Sequence, residues 1–155
     1  MENKINIINF WKTGDMYGEF SNFWYSPIYV LGVEYKTVEH YFQSMKFLDR
    51  ETSEYIQSVS TPHLAAKRGR DRTLPLRKDW EDIKVDVMCQ GIRYKFDQHP
   101  KLRDLLISTE DYTLIEDSPY DYFWGVGENK TGKNMLGILL MELRNKYISE
   151  IPKPH

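Results

Sequence analysis

The most regular pattern of hydrophobic and polar positions lies within residues 37–47. Apolar side chains recur there at i, i+3, i+4 and i+7, the spacing that aligns side chains on one face of an α-helix. We therefore predict a helix with one face in the core, and Thr37 before it suits an N-cap. The apolar positions are Val38, Tyr41, Phe42 and Met45.

Three polar side chains follow the same predicted helix on a neighbouring line. Glu39, Gln43 and Lys46 stand at i, i+4 and i+7, so a carboxylate, an amide and an ammonium are expected side by side along the edge of the core. Such a line of unlike polar groups can furnish a site.

Weaker patterns predict the other elements, and their order gives an α+β fold. We expect one compact, mostly helical domain over residues 1–148, with a few short N-terminal strands and a flexible tail over 149–155. The stretch Gly18–Phe23 is either a strand end with two core phenylalanines or part of a site. The remaining elements are a strand over 5–11, a hairpin turning at Gly32, helices over 51–59, 61–70, 79–98, 101–108 and 134–147, and a strand over 112–116.

Composition narrows the classes of protein to consider. The chain has 155 residues, of which 41% are hydrophobic and 28% charged, as expected for one soluble domain. A net charge of −2 provides no general attraction to a polyanion, so local contacts must hold any nucleotide. The sequence has neither a signal peptide nor an apolar run long enough to span a bilayer, which predicts a cytoplasmic protein.

The residue types that bind metals are sparse. Cys89 is the single cysteine, which excludes an internal disulfide and indicates a reducing compartment. It lies in a hydrophobic part of a predicted helix, where we expect an inert, packed thiol. The four histidines are scattered without zinc-ligand spacing, so we expect no structural metal.

An aromatic stretch over residues 118–127 is the second informative place. Four aromatic residues surround Asp121, and Gly125 and Gly127 follow them. This mixture is too polar and too rich in glycine for an ordinary helix and favours a binding loop. A structural turn that packs its aromatic side chains inward would give the same composition.

Cations and a tryptophan mark the middle of the chain. Lys67 and Arg70 belong to a basic stretch that is ordinarily a solvated helix face, but small neighbours such as Gly69 would let both cations approach a phosphate. Asp79 is the predicted cap of the long helix. Trp80 in its first turn is either core or a stacking wall, and Gly91 is a predicted point of close packing.

A P-loop is excluded. Gly127 to Lys133 matches its first seven positions, but Asn134 replaces the metal-binding Ser or Thr, and too little chain follows for the sheet of an NTPase. We keep only the hypothesis that backbone amides at this helix start hold an anion.

The remaining groups fit the cleavage of a glycosidic bond in a nucleotide-like substrate. They are two acids from distant elements, aromatic walls, cations and a polar pair. These are Glu39 and Asp121, Trp80 and Trp124, Lys46, Lys67 and Arg70, and Glu19 with Asn22.

Several motifs in order resemble the YbiA/NADAR family, from about Gly18 to Arg144. They are Gly18-Glu19-Phe20-Ser21-Asn22-Phe23, Thr37-Val38-Glu39-His40-Tyr41-Phe42-Gln43 with Lys46-Phe47, Ala65-x-Lys67-x-Gly69-Arg70, Asp79-Trp80, and Trp124-Gly125-x-Gly127 leading to Asn134-x-Leu136-Gly137. The resemblance implies an N-glycosidase. Some members hydrolyse phosphoribosylamino-pyrimidine intermediates of riboflavin biosynthesis, and others remove ADP-ribose from guanine in nucleic acid.

The resemblance also implies roles for individual residues. Glu39 is the expected catalytic acid and Asp121 a second carboxylate near the sugar. Lys46 or Lys67 is expected to capture the opened ribose C1 as a Schiff base. The expected substrate-binding residues are Glu19, Asn22, Gln43, Arg70, Trp80, Trp124, Gly125 and Asn134.

The expected partner is a nucleotide-like small molecule, either ADP-ribose or a phosphoribosyl compound, or else ADP-ribosylated DNA or RNA. No metal, redox cofactor or membrane is expected. A rival hypothesis is a non-catalytic module that binds ADP-ribose or a related nucleotide in the same pocket, which would need Trp80, Trp124 and Arg70 but not Glu39. A third is a structural or interaction domain with ordinary aromatic packing.

Overall fold

A computed structural model describes residues 6–154, and it confirms the predicted α+β class. The described residues contain six α-helices and four short strands. The predicted first strand began at Ile5, which lies outside the described residues. The elements in chain order are β1 Ile7–Phe10, a 3₁₀ helix Gly18–Phe20, β2 Ile28–Val30, β3 Val33–Tyr35, α1 Val38–Ser44, α2 Arg50–Ser58, α3 Pro62–Gly69, α4 Trp80–Gln98, α5 Pro100–Ser108, β4 Thr113–Glu116 and α6 Met135–Ser149.

The chain divides into two compact units. One is Asn22–His99 and contains β2, β3 and α1 to α4; the other combines the residues up to Ser21 with those from Pro100 onward. The single domain over residues 1–148 stays a prediction, and its first five residues lie outside the described part. The predicted tail begins at Ser149, which is still the last residue of α6, and its end, His155, is also outside that part.

Helix α1 is the centre of the Asn22–His99 unit. It packs against α2, α3 and α4, and every residue from Val38 to Ser44 is buried, so the polar line is enclosed as well as the apolar stripe. The Thr37 hydroxyl accepts a hydrogen bond from the His40 backbone N–H, as expected of an N-cap. A buried helix with a polar line must provide partners for those polar groups within the protein.

The predicted close approach at Gly91 is confirmed. A Cβ atom there would lie 3.0 Å from Cδ1 of Tyr41 and 3.2 Å from Cγ1 of Val38. The missing side chain therefore lets α4 lie directly against the apolar side of α1.

Of two sequence-based expectations in this unit, one holds in position only and the other is wrong. Asp79 is the N-cap residue of α4 as predicted, but its side chain makes no cap hydrogen bond, and its Oδ1 accepts from the Arg77 guanidinium at 2.6 Å. Cys89 is exposed on α4 and is not a packed thiol.

His40 is completely buried, and its tautomer follows from its partners. Its Nε2 lies 2.9 Å from the Val59 carbonyl oxygen, which can only accept, so Nε2 carries the proton. Its Nδ1 lies 2.8 Å from the Thr37 hydroxyl, which donates to it. Burial lowers the pKa of His40 from its usual value of 6.5, because the charged imidazolium would be desolvated.

The burial of His40 predicts acid sensitivity. As pH falls through 6.5, the unfolded chain binds a proton at this histidine before the folded chain does. The free energy of unfolding therefore decreases as the pH decreases. We expect His40→Gln to be less stable at pH 7 by about 1 to 3 kcal/mol, with a flatter pH dependence between pH 7 and 5. Chemical denaturation at several pH values measures both.

His63→Gln is the matched control, because His63 is exposed on α3. It should keep the wild-type pH dependence. An unchanged slope in His40→Gln would contradict the assignment of the acid sensitivity to His40.

The predicted hairpin turns at Leu31 and Gly32, whose φ angles are 51° and 82°. Strands β2 and β3 pair antiparallel, with Tyr29 opposite Glu34. The Gln98 side chain accepts from the Tyr29 N–H and donates to the Tyr29 carbonyl, both at 2.8 Å, and Gln57 donates to the Glu34 carbonyl. Side-chain amides therefore bond both outer edges of this small sheet.

In the second unit, the N-terminal segment of the described residues pairs with the C-terminal segment. Strand β1 pairs parallel with β4, with Ile8 opposite Leu114, and α6 packs on β4. The expected strand end at Gly18–Phe23 is wrong, because Gly18–Phe20 forms a 3₁₀ helix. A Cβ on Gly18 would lie 2.2 Å from the Thr13 carbonyl oxygen, so this turn depends on the glycine.

Within residues 6–154, none of the helices is both long and apolar enough to cross a membrane.

Candidate functional site

The polar line on α1 is present as predicted. Nε2 of Gln43 donates to Oε1 of Glu39 at 2.7 Å, and the charge of Glu39 acts on the Lys46 ammonium one turn further on. Glu39 is 7% exposed and Gln43 is 3% exposed. A buried carboxylate, held by an amide and close to an amine, is suited to proton transfer or to stabilising positive charge.

Lys46 extends from the end of α1 over two aromatic rings. Its Nζ lies 5.9 Å from the ring centres of both Phe42 and Trp80, and it donates to the Gly69 carbonyl at 3.2 Å. Burial is the largest influence and lowers the pKa of Lys46; the Glu39 carboxylate opposes this effect, and the Arg70 charge adds to it. A larger fraction of neutral amine makes Lys46 a better nucleophile than an exposed lysine.

Two buried acceptors lie along the same helix. Oδ1 of Asn22 and Oε1 of Gln43 have no hydrogen-bond partner among the described residues. The Asn22 carbonyl accepts from the Glu39 N–H at 3.1 Å, which places Asn22 at the start of α1. Buried acceptors of this kind are rare in folded proteins, and the Gln43 oxygen lies against Gly69.

The cations and the tryptophan of this unit differ in exposure. Lys67 and Arg70 are exposed at the end of α3. Trp80 is buried and packs on Phe42, with ring centres 5.0 Å apart, so it serves the core and lies under the Lys46 ammonium.

In the other unit, Asp121 organises the aromatic loop. Its Oδ1 accepts from the backbone N–H groups of Phe123 and Trp124, at 2.9 and 2.7 Å, and the two rings then pack edge to face. A Cβ on Gly125 would lie 2.8 Å from the backbone carbonyl oxygen of Glu116, which cannot move aside as a side chain can, so glycine is favoured there.

Asn134 joins this loop to β4. Its Nδ2 donates to the Leu114 carbonyl and its Oδ1 accepts from the Glu116 N–H, both at 2.9 Å. The backbone N–H groups of Asn134, Met135 and Leu136 donate to carbonyls of residues 123–125. The hypothesis of an anion held by these amides is therefore wrong, because the loop already uses them.

Glu19 is the remaining predicted site residue. It lies half-buried in the 3₁₀ helix, directly after Tyr17 and Gly18, and Tyr17 has a left-handed backbone with φ 62°. The roles of Glu19, Asp121, Trp124, Gly125 and Asn134 toward a substrate stay predictions.

A family model described as the NADAR domain matches residues 9–147. This chain belongs to the NADAR domain family. The N-glycosidase YbiA of Escherichia coli (strain K12) is 51% identical over 144 residues, covering 93% of this chain and 90% of that protein.

A solved structure and a plant protein extend the comparison of this NADAR domain. The NMR structure of the E. coli protein YbiA matches with a TM-score of 0.88 and 48% identity, covering 99% of this chain and 92% of that chain. The chloroplastic riboflavin biosynthesis protein PYRR of Zea mays is 40% identical over 164 residues, covering 95% of this chain and 26% of that protein. The expected class, a hydrolase acting on N-glycosyl compounds, is confirmed by the names of the curated relatives.

Sequence reasoning missed one contact of this site and also the complete burial of His40, whose ring contacts Thr37 and Val59. Gly69 was interpreted as making room for cations, whereas the space beside its Cα is filled by the Gln43 side chain.

The contacts of Asp121 predict a positioning role in the NADAR domain. Asn keeps a side-chain oxygen for the two loop amides, so we expect Asp121→Asn to retain kcat/KM within about threefold, while Asp121→Ala loses about tenfold or more. Steady-state kinetics on the two variants measures the difference. Equal, large losses in both would instead assign a catalytic carboxylate to Asp121.

Proposed function

We propose that this NADAR domain hydrolyses the N-glycosidic bond of phosphoribosylamino-pyrimidine intermediates of riboflavin biosynthesis. The observation that carries the proposal is the buried Glu39 carboxylate, held by Gln43 and followed on the same helix by the desolvated Lys46 amine. Two relatives support this choice of substrate and reaction: the maize protein is named for riboflavin biosynthesis, and the E. coli protein is named an N-glycosidase.

In the proposed reaction, the bond between ribose C1 and the amine nitrogen breaks and water supplies the new C1 oxygen. Glu39 protonates the departing amine or stabilises positive charge at C1. The products are the free pyrimidine amine and ribose 5-phosphate. Apart from water, the groups that act in this proposed reaction are acidic, basic and nucleophilic side chains of the protein.

The environment of the two candidate lysines favours Lys46 as the amine that captures C1. Lys46 is half-buried, with its pKa lowered by burial, whereas Lys67 is exposed at the end of α3. A Schiff base at Lys46 would form as the Lys46 amine displaces the pyrimidine amine from C1 and the sugar opens, with a proton passing to the ring oxygen. One water would then hydrolyse the Schiff base to free Lys46 and ribose 5-phosphate. Arg70, close enough for its charge to act on Lys46, is suited to the substrate phosphate.

Removal of ADP-ribose from guanine in nucleic acid is the second candidate. Exposed cations at the end of α3 favour it, because they could contact a phosphate backbone even though the net charge is −2. These are Lys67, Arg68, Arg70 and Arg72.

A product assay by mass spectrometry tests the proposal. The purified protein is given the phosphoribosylamino-pyrimidine and, separately, DNA carrying ADP-ribosylated guanine. We expect release of ribose 5-phosphate from the first. Release of ADP-ribose with restored guanine from the second alone would support the other candidate.

A non-catalytic reader of nucleotides is the remaining alternative. It predicts no product from either substrate but a thermal shift on addition of ADP-ribose. Absence of both product and binding would favour a structural domain.

A further inference from the structure

Gly69, the last residue of α3, lies against the two functional side chains on one side of α1. A Cβ added at Gly69 would meet three atoms of Gln43, namely Oε1 at 2.0 Å, Cδ at 2.7 Å and Cβ at 2.9 Å. The Gly69 carbonyl oxygen also accepts from the Lys46 ammonium at 3.2 Å. One glycine therefore borders both the amide that holds Glu39 and the amine that follows it.

We propose that Gly69 is a positioning residue of this N-glycosidase: its missing side chain keeps the Gln43 amide in hydrogen-bonding contact with Glu39, and its carbonyl aims the Lys46 ammonium. The proposal rests on the proposed function for its kinetic readout.

In this proposal, Gly69 fixes the orientation of the Gln43 side-chain amide. Nε2 donates to Glu39 at 2.7 Å, and the Oε1 edge of the amide lies toward Gly69. A reversed amide would set its oxygen against the carboxylate, with two acceptors in contact. Because the Gln43 stem is also within 2.9 Å of the added Cβ, rotation of the amide alone would not relieve the clash. The whole side chain must move, and the bond to Glu39 is then lost.

Gly69→Ala tests the inference, and Gly91→Ala is its matched control. Both variants add one methyl group to a helical glycine that packs on α1. The methyl at Gly91 meets Tyr41 and Val38 on the apolar side, whereas the methyl at Gly69 meets Gln43 on the polar side.

We expect Gly69→Ala to lower kcat by about a hundredfold with KM changed by less than about threefold, because displaced catalytic groups lose rate rather than affinity. Gly91→Ala should lower the melting temperature but keep the wild-type kcat. A wild-type kcat in Gly69→Ala would overturn the proposal.

A double-mutant cycle separates positioning from general damage. Gln43→Ala removes the side chain that the new methyl would strike, so Gly69→Ala/Gln43→Ala should have the kcat of Gln43→Ala within about twofold. If the two losses multiply, or if Gln43→Ala has wild-type kcat, the proposal fails. Should Gly69→Ala not fold, the double variant against Gln43→Ala still decides.

A measurement without substrate keeps this inference distinct from the proposed function. The side-chain amide resonances of Gln43 in ¹⁵N NMR spectra should shift in Gly69→Ala and stay unchanged in Gly91→Ala. If the wild-type protein cleaves neither candidate substrate, the proposed function fails, and the spectra still decide whether Gly69 holds Gln43. Unchanged Gln43 resonances in Gly69→Ala would overturn the inference.

Discussion

Glu39→Gln is expected to lose turnover by about 10²- to 10⁴-fold while the protein stays folded. The amide has the size of the carboxylate, and its oxygen can still accept from Nε2 of Gln43, which is 2.7 Å from Oε1 of Glu39 in the wild type. What is lost is the titratable carboxyl group and the negative charge that the proposed mechanism uses beside the sugar. Steady-state kinetics, with circular dichroism as the check on folding, measures the effect.

Glu34→Gln provides the control for this prediction. Glu34 is an exposed carboxylate on β3 of the same structural unit and accepts from the Tyr29 hydroxyl. Its substitution should leave kcat unchanged. Near-wild-type turnover in Glu39→Gln would remove Glu39 from the mechanism and favour the non-catalytic reader.

Lys46→Met is expected to lose turnover by about a hundredfold or more and yet to be at least as stable as the wild type at neutral pH. Methionine keeps an apolar chain over the Phe42 and Trp80 rings but has no ammonium to desolvate. Function and stability therefore oppose each other at this position.

The sign of the pH dependence follows from the lowered pKa of Lys46. As pH rises toward the usual lysine pKa of 10.5, Lys46 in the folded protein releases its proton before Lys46 in the unfolded chain does. The free energy of unfolding of the wild type therefore increases as the pH rises. The stability advantage of Lys46→Met should be largest near pH 7 and shrink as pH rises. Urea denaturation at several pH values measures this trend.

Borohydride reduction during turnover provides a direct check on Lys46. It should trap a sugar adduct on Lys46 in the wild type, found by peptide mass spectrometry. Lys67→Met should still form it. An adduct on Lys67, or full turnover by Lys46→Met, would contradict the assignment.

Local signals in the sequence predicted much of this fold. Thr37 and Thr61 cap α1 and α3 as expected, because the donors they satisfy lie three residues further along the chain. The turn at Gly32 and the close packing at Gly91 were also predictable, since each depends on the absence of a side chain.

The errors occurred where contacts that helical periodicity does not report decide. The Asp79 carboxylate pairs with the Arg77 guanidinium two residues before it, and a bond from Arg77 to the distant Met45 carbonyl holds that guanidinium in place. The pattern of α1 predicted one buried face, but α3 also lies against its polar line, where Gly69 meets Gln43, and every residue of the helix is buried. No periodicity within α1 reports that enclosure.

The candidate site shows the same division. The line of Glu39, Gln43 and Lys46 was visible in the sequence because helical spacing brings i and i+4 together. The contact of Gly69 with Gln43 could not be predicted, because the sequence of α1 contains no information about a glycine that is 26 residues further along the chain. Sequence spacing thus predicted the candidate reactive groups, whereas only the tertiary structure shows which glycine lies against them.

Two glutamine side chains, from α2 and α4, form hydrogen bonds with the hairpin, and these bonds have a consequence for aggregation. The β2–β3 hairpin carries Leu31 at its tip, 99% exposed, and its outer backbone groups would otherwise form a template for another chain to add a strand. Gln98 occupies the N–H and the carbonyl of Tyr29, and Gln57 occupies the Glu34 carbonyl. These two amides therefore protect an apolar hairpin from intermolecular strand addition, in the way that gatekeeper residues do.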